Sequence, residues 1–230
     1  MGYINQTGKF NDTTWLIDAI FKTTEGEGVS GGMAAYLIKT DDGSNCLINP
    51  STLSGAREIY LKLKEFGGWP LQKIILTHSH WDHTQGIQFF REKIKQENLP
   101  QIEILASEKA IPYLLDQSYN TCFVLEEKHS AELPNIEGVI PIKEKVQLNP
   151  NYTLDIIETP GHMADHISVY DPQTKTLFNG DAIGLHWHPQ FYVCNSNSIY
   201  WKEKDYLESI KRVKSLDLEY LCIAQDIYQV

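Results

Sequence analysis

Apolar and polar positions divide the chain into strand-like and helix-like stretches. Residues 14–21, 34–39 and 45–49 are apolar or β-branched, and turn chemistry at Gly31-Gly32 and Asp41-Asp42-Gly43-Ser44 separates them, which predicts a β-meander. From Ser54, a residue type that caps helices, Ile59, Leu61, Leu63 and Phe66 alternate with charges as far as Gly67-Gly68, predicting a first helix stopped by glycine. A short apolar strand is expected over 73–77, then a histidine-rich loop, then a helix over 86–95 with Ile87, Phe90 and Ile94 at helical spacing. The loop therefore joins a strand to a helix.

Farther on, 102–105 reads as a strand and 108–115 as a short helix whose start Pro112 restricts. Short apolar runs at 139–142, 154–158, 167–170 and 177–178, broken by Asn149-Pro150, Pro160-Gly161 and Asp171-Pro172, predict a second group of strands. Residues 205–216 place Tyr206, Leu207, Ile210 and Val213 on one face of an amphipathic helix, and 220–224 is a last strand. Two strand groups with helices between them predict an α/β fold, a four-layered αββα sandwich in which two sheets pack face to face beneath outer helices. No repeat, low-complexity segment or linker divides residues 1–230, so one domain is expected.

Charge narrows the partners. Twenty basic residues against thirty acidic ones give a net charge of -10, which repels polyanions and favours a small-molecule substrate over nucleic acid. No apolar run approaches the roughly 20 residues of a membrane span, and the start MGYINQTGKF lacks a basic region followed by an apolar one. No membrane association and a cytoplasmic location are expected. The four cysteines, Cys46, Cys122, Cys194 and Cys222, form no Cys-x-x-Cys pair and lie beside apolar residues, so all are expected to be buried packing residues.

Thr77-His78-Ser79-His80-Trp81-Asp82-His83 puts three imidazoles and a carboxylate within six positions of a loop leaving a strand. Imidazole and carboxylate are ligands that zinc, iron and manganese all accept, and His78 and His80, two apart, can point the same way from an extended backbone. Asp82 and His83 can then turn toward a second ion. Thr159-Pro160-Gly161-His162 and Phe178-Asn179-Gly180-Asp181 each follow a predicted strand, which places His162 and Asp181 at strand ends, where sites are built. His129 lies in the charged run that begins at Glu126 and reads as a surface residue.

In order and spacing, His78-x-His80-x-Asp82-His83, Thr159-Pro160-Gly161-His162 and Gly180-Asp181 resemble the metal motifs of the metallo-beta-lactamase superfamily, and Thr77, Gly86 and the opening meander add to the likeness. The resemblance implies a hydrolase with two divalent ions, zinc first, with iron or manganese served by the same ligands. His78, His80 and His162 would bind one ion, Asp82 and His83 would contribute to the second, and Asp181 would bridge them. A hydroxide between two cations would attack an ester, thioester, lactone or phosphoester, with Asp82 orienting it or moving its proton. His166 would hydrogen-bond behind the ligands, and His186 and His188, flanking Trp187, would be pocket-wall residues. Trp81, Trp187, Phe191 and Tyr192 hint at an aromatic-walled pocket.

The chain departs from the family pattern in two places. No histidine follows His188, and Gln225 stands near where a last ligand of the second ion is expected, which implies either a weak second site or a shortened chain. Asn49 stands where an aspartate commonly supports the ligand loop. His80 and Asp181 disfavour two relatives, the flavodiiron proteins with Glu at the first position and the commonest zinc β-lactamases with Cys at the second. The acidic charge disfavours a tRNA-processing nuclease. The alternatives are a mononuclear iron enzyme resembling persulfide dioxygenases and a non-catalytic member with a damaged second site.

Overall fold

The computed structural model describes residues 2–4, 6–22, 30–117, 133–188, 191–194, 196, 198–224 and 227–229. Strand β1 (Gly2–Ile4) belongs to the second of two large sheets. The first sheet contains β2 (Gly8–Lys9), β3 (Thr14–Lys22), β4 (Ser30–Ile38), β5 (Cys46–Ile48), β6 (Lys73–Ile75), β7 (Glu103–Ser107) and β8 (Val139–Ile142), hydrogen-bonded in that order. Pairing is antiparallel as far as β5 and parallel from β5 to β8. Parallel neighbours need crossovers, and helices supply the first two: α1 (Leu53–Glu65) between β5 and β6, and an α-helix over Gly86–Glu97 between β6 and β7.

The second sheet has the order β1-β16-β15-β12-β11-β10-β9, built from β9 (Lys145–Asn149), β10 (Tyr152–Glu158), β11 (Ile167–Asp171), β12 (Thr176–Gly180), β15 (Tyr220–Ile223) and β16 (Ile227–Gln229). β13 (Leu185–His188) and β14 (Phe191–Val193) form a separate antiparallel pair. This is the four-layered sandwich predicted, and the side-chain alternation shows why it forms. Leu16, Tyr36, Ile48 and Ile75 point into one cluster with Leu154, Ile167, Val169 and Phe178 of the other sheet. Their neighbours Ile17, Leu37, Leu47 and Ile74 point the opposite way, onto Ile59, Leu63, Ile87 and Phe90 of the helices. Strands buried on both faces read as continuous apolar runs, which is how 73–77 and 45–49 appear in the sequence.

Several expectations need correction. Thr52, not Ser54, caps α1: its side chain accepts from Gly55 N at 3.2 Å, and Ser54 falls inside the first turn. The helix expected over 108–115 is a 3-10 turn, Glu108–Ala110, followed by an α-helix over Ile111–Leu115 with Pro112 in its first turn, where no amide donor is needed. β9 and the β13–β14 pair were not foreseen. Cys46 and Cys222 are buried, but Cys194 is exposed, and Cys122 lies outside the described residues. Among the described residues no helix is long and apolar enough to cross a membrane.

Candidate metal centre

The histidine-rich segment leaves β6 at the edge where the parallel strands end. It is not wholly a loop: α2 (Trp81–Thr84) forms one turn with His80 at its N-cap, closed by His83 N donating to His80 O at 3.0 Å and Thr84 Oγ1 donating to the same oxygen at 3.1 Å. That turn carries His83 back toward His78, whose ring centroid lies 4.3 Å away. The helix over Gly86–Glu97 then becomes α3 in chain order, and Gly86 is required at its start. A Cβ there would stand 2.1 Å from Pro50 O.

Residues from both halves of the chain meet at this edge. His78 Nε2 and His162 Nε2 each lie 2.9 Å from His80 Nδ1, so three imidazole nitrogens converge in a buried space. Asp181 follows β12 and faces two ways. Its Oδ2 is 3.6 Å from His162 Nε2, and its Oδ1 is 3.6 Å from His83 Nε2, which is itself 3.7 Å from Asp82 Oδ2. All six residues singled out in the sequence are therefore brought together.

Electrostatics separate the two nitrogen sets. Burial, reinforced by the other histidines of the cluster, holds His78 well below the usual histidine range, and burial with His162 does the same to His80. Burial pulls His83 down too, yet the carboxylates of Asp82 and Asp181 outweigh it and raise His83. Burial would raise Asp181, but His83 and His162 hold its carboxyl far below the ordinary range.

The residues fit a pair of divalent cations. His78, His80 and His162 form one group of possible ligands and His78, His83 and Asp181 another, with the ligand atoms of each within 4.8 Å of one another. Both ring nitrogens of His83 and Nε2 of His80 are buried without a hydrogen bond, a costly state for a polar atom unless another partner is bound.

Behind these residues stands His166, the expected hydrogen-bonding group, with partners that the sequence did not reveal. His166 Nε2 accepts from the backbone N–H of Asp181 at 3.2 Å, while its Nδ1 is 3.1 Å from Thr159 Oγ1, which is 2.9 Å from Ser168 Oγ, which donates to Asn179 Oδ1 at 3.2 Å. His166 is thus committed to holding Asp181 in place and stays neutral in its burial. His166→Ala should leave bound metal near the wild-type amount and lower turnover by no more than about tenfold. Elemental analysis showing metal lost in that variant would make His166 a ligand.

Asp165 is a supporting group that sequence reasoning missed. Fully buried, with its carboxyl pushed up to about 6 by that burial, it accepts from Ser79 N at 2.8 Å and ties the turn after β10 to the loop after β6. Its place between His162 and His166 was the one available signal. Gln225 and His129 lie outside the described residues, as do the side chains of His186, Trp187, His188, Phe191 and Tyr192.

The sequence profile of the metallo-beta-lactamase superfamily matches residues 31–225. The chain belongs to the metallo-beta-lactamase superfamily. A hydroxyacylglutathione hydrolase of Brucella ovis is 26% identical over 116 residues, a match covering 50% of this chain but only 35% of that relative's length. Among solved structures, a metallo-beta-lactamase from Pontibacter korlensis superposes with a TM-score of 0.69 at 16% identity, covering 95% of this chain and 90% of that one. A metallo-beta-lactamase family protein from Thermus thermophilus gives 0.69 at 19% identity, covering 94% and 75%. At such identities the two structures speak for the shared superfamily fold.

Proposed function

We propose that this superfamily member is a binuclear metal-dependent hydrolase that cleaves an acyl bond, an ester or thioester, of a small molecule. The observation that carries the reading is Asp181, whose two oxygens face His162 and His83 separately. The partial likeness to a hydrolase of hydroxyacylglutathione favours a thioester, with lactones and phosphoesters as the other bonds such a centre attacks.

Two divalent cations, zinc by preference, would lower the pKa of a water between them and polarise the scissile group. His78 Nε2, His80 Nδ1 and His162 Nε2 would hold the first cation; His83 Nε2 and Asp82 would hold the second, with Asp181 shared. Asp82, the member of the set most open to solvent, would orient the attacking water and take its proton at Oδ2. The net charge of -10 fits a small substrate rather than a polyanion.

Elemental analysis of purified protein, followed by a panel of esters, thioesters, lactones and phosphodiesters, tests the proposal. Turnover that follows metal content supports it. Metal well below one ion per chain after reconstitution would instead indicate a non-catalytic member, and iron with oxygen uptake on glutathione persulfide would indicate an oxygenase.

Acid should remove the second cation before the first. His83 is raised by its carboxylates and must give up a proton to bind, whereas His78 and His80 are lowered and remain unprotonated to a lower pH. Metal retained after dialysis at stepwise lower pH checks this, and simultaneous loss of both ions would contradict it.

A further inference from the structure

His162 and Asp181 sit in turns that follow different strands, β10 and β12, so something must set the gap between them. Asp181 stands in a segment hinged at both ends by glycines in the left-handed region, Gly180 at φ 52° and Gly184 at φ 119°. Within it the bonds are local, Ala182 N donating to Asn179 O at 3.2 Å and Gly184 N donating to Asp181 O at 3.3 Å. They close the turn without fixing where it points. On the β12 side the segment is held from outside, by Ala224 N donating to Gly180 O at 3.2 Å and by His166 accepting from the Asp181 amide.

The far side is held by Tyr206. Its hydroxyl lies 3.1 Å from Ile183 O, two residues beyond Asp181. A carbonyl can only accept, so the hydroxyl proton goes to Ile183, and the Cys194 thiol, also in hydrogen-bonding reach, donates to the hydroxyl oxygen. The same residue is pressed against the turn that carries His162. The Tyr206 Cα, Cβ and N would lie 2.5–2.7 Å from a Cβ on Gly161, so only glycine lets the helix Glu203–Lys214 come this close. Lys202 N and Ser209 Oγ, donating to Gly161 O and Pro160 O, fasten the helix there. The Trp201 ring flanks the phenol at 4.6 Å between centroids. With two side-chain torsions and a rigid ring, Tyr206 is a strut of nearly fixed length.

We infer that Tyr206 is a positioning residue that spans the His162 turn and the Asp181 turn and sets the 3.6 Å approach of Asp181 Oδ2 to His162 Nε2. Its consequence for metal binding rests on the proposed function; the span itself does not. Removing the hydroxyl leaves the helix fastened to Pro160 and Gly161, so His162 keeps its place, whereas Asp181 loses the hold on its far side. The second cation, which would depend on Asp181 together with His83 and Asp82, should therefore respond more than the first.

Two variants separate positioning from packing. Tyr206→Phe and Ser209→Ala each delete one hydroxyl by which the helix bonds a turn of the site, but only the first reaches the Asp181 turn. In metal-free protein, amide hydrogen exchange at Ala182 and Gly184 should quicken at least about tenfold in Tyr206→Phe and stay within about twofold of the wild type in Ser209→Ala. In zinc titrations, Tyr206→Phe should weaken the second ion about fivefold or more and the first by no more than about twofold, a selectivity absent from Ser209→Ala.

Unchanged exchange at Ala182 and Gly184 in Tyr206→Phe, or equal acceleration in both variants, would overturn the inference. Equal weakening of both ions in Tyr206→Phe would likewise reduce Tyr206 to a packing residue of its helix. If the wild type binds a single ion, the binuclear proposal fails while the exchange measurement still decides this inference, so the two failures remain distinguishable.

Discussion

On the binuclear proposal, Asp181→Asn should reduce bound metal from two ions per chain to one and lower hydrolysis by at least about a hundredfold. The substitution is nearly isosteric, so the backbone bond to His166 Nε2 should survive, and the His78, His80 and His162 nitrogens should still converge. What disappears is the charge. The carboxylate is 3.6 Å from His83 Nε2 and 3.6 Å from His162 Nε2, and no other described carboxylate pairs with both histidines. Two divalent cations held in one buried site would repel each other, and the negative charge of Asp181 would offset that repulsion. Unchanged stoichiometry together with near-normal turnover would sink the binuclear proposal. One ion with near-normal turnover would leave a hydrolase that needs only the first position.

The layers and the cluster of candidate ligands were legible in the sequence because both rest largely on short-range patterns. Short continuous apolar runs at 45–49 and 73–77 mark strands without knowledge of their partners, and the spacing of His78, His80, Asp82 and His83 is a property of one loop. His166 and Asn49 were marked as supporting residues by the resemblance, but Asp165 and the partners of all three were not legible, because those contacts exist only across the fold. Asp165 reaches Ser79 over 86 positions, Asn49 reaches Thr77 over 28, and His166 reaches the Asp181 amide over 15. Nothing local distinguishes a serine or threonine that relays a hydrogen bond, such as Thr159 or Ser168, from one that merely fits a strand.

The α1 cap fails for a related reason. Thr52 and Ser54 are both capping residue types two positions apart, and only the direction of the chain as it enters the helix selects Thr52. Cys194 was expected to be buried because its neighbours are apolar, but it follows the short β14 strand and is exposed.

Gly161→Ala should be strongly damaging although it leaves every proposed ligand intact. Gly161 sits at φ 141°, a region that side chains rarely adopt, and a Cβ there would lie 2.5 Å from the Cα and 2.7 Å from the N of Tyr206. These are backbone atoms of the helix Glu203–Lys214. A flexible side chain could swing aside, but a helix axis cannot. The helix is also tied to the same turn, with Lys202 N donating to Gly161 O at 2.9 Å and Ser209 Oγ donating to Pro160 O at 2.6 Å. Relief of the clash must therefore either break those bonds or push the turn, and with it the adjacent His162, away from His80. The expected cost is about 3 kcal/mol of stability, combining backbone strain with overpacking. Zinc affinity at the first position should fall at least about tenfold, because a small displacement of one ligand spoils the convergence. Gly138→Ala is the control: φ there is 69°, yet the nearest atom to an added Cβ is an Arg91 nitrogen at 3.8 Å, so strain acts without a clash. Thermal unfolding and zinc titration of the two variants side by side check the argument. If Gly138→Ala proves as destabilising as Gly161→Ala and zinc binding is unaffected in both, the helix does not hold His162 in place.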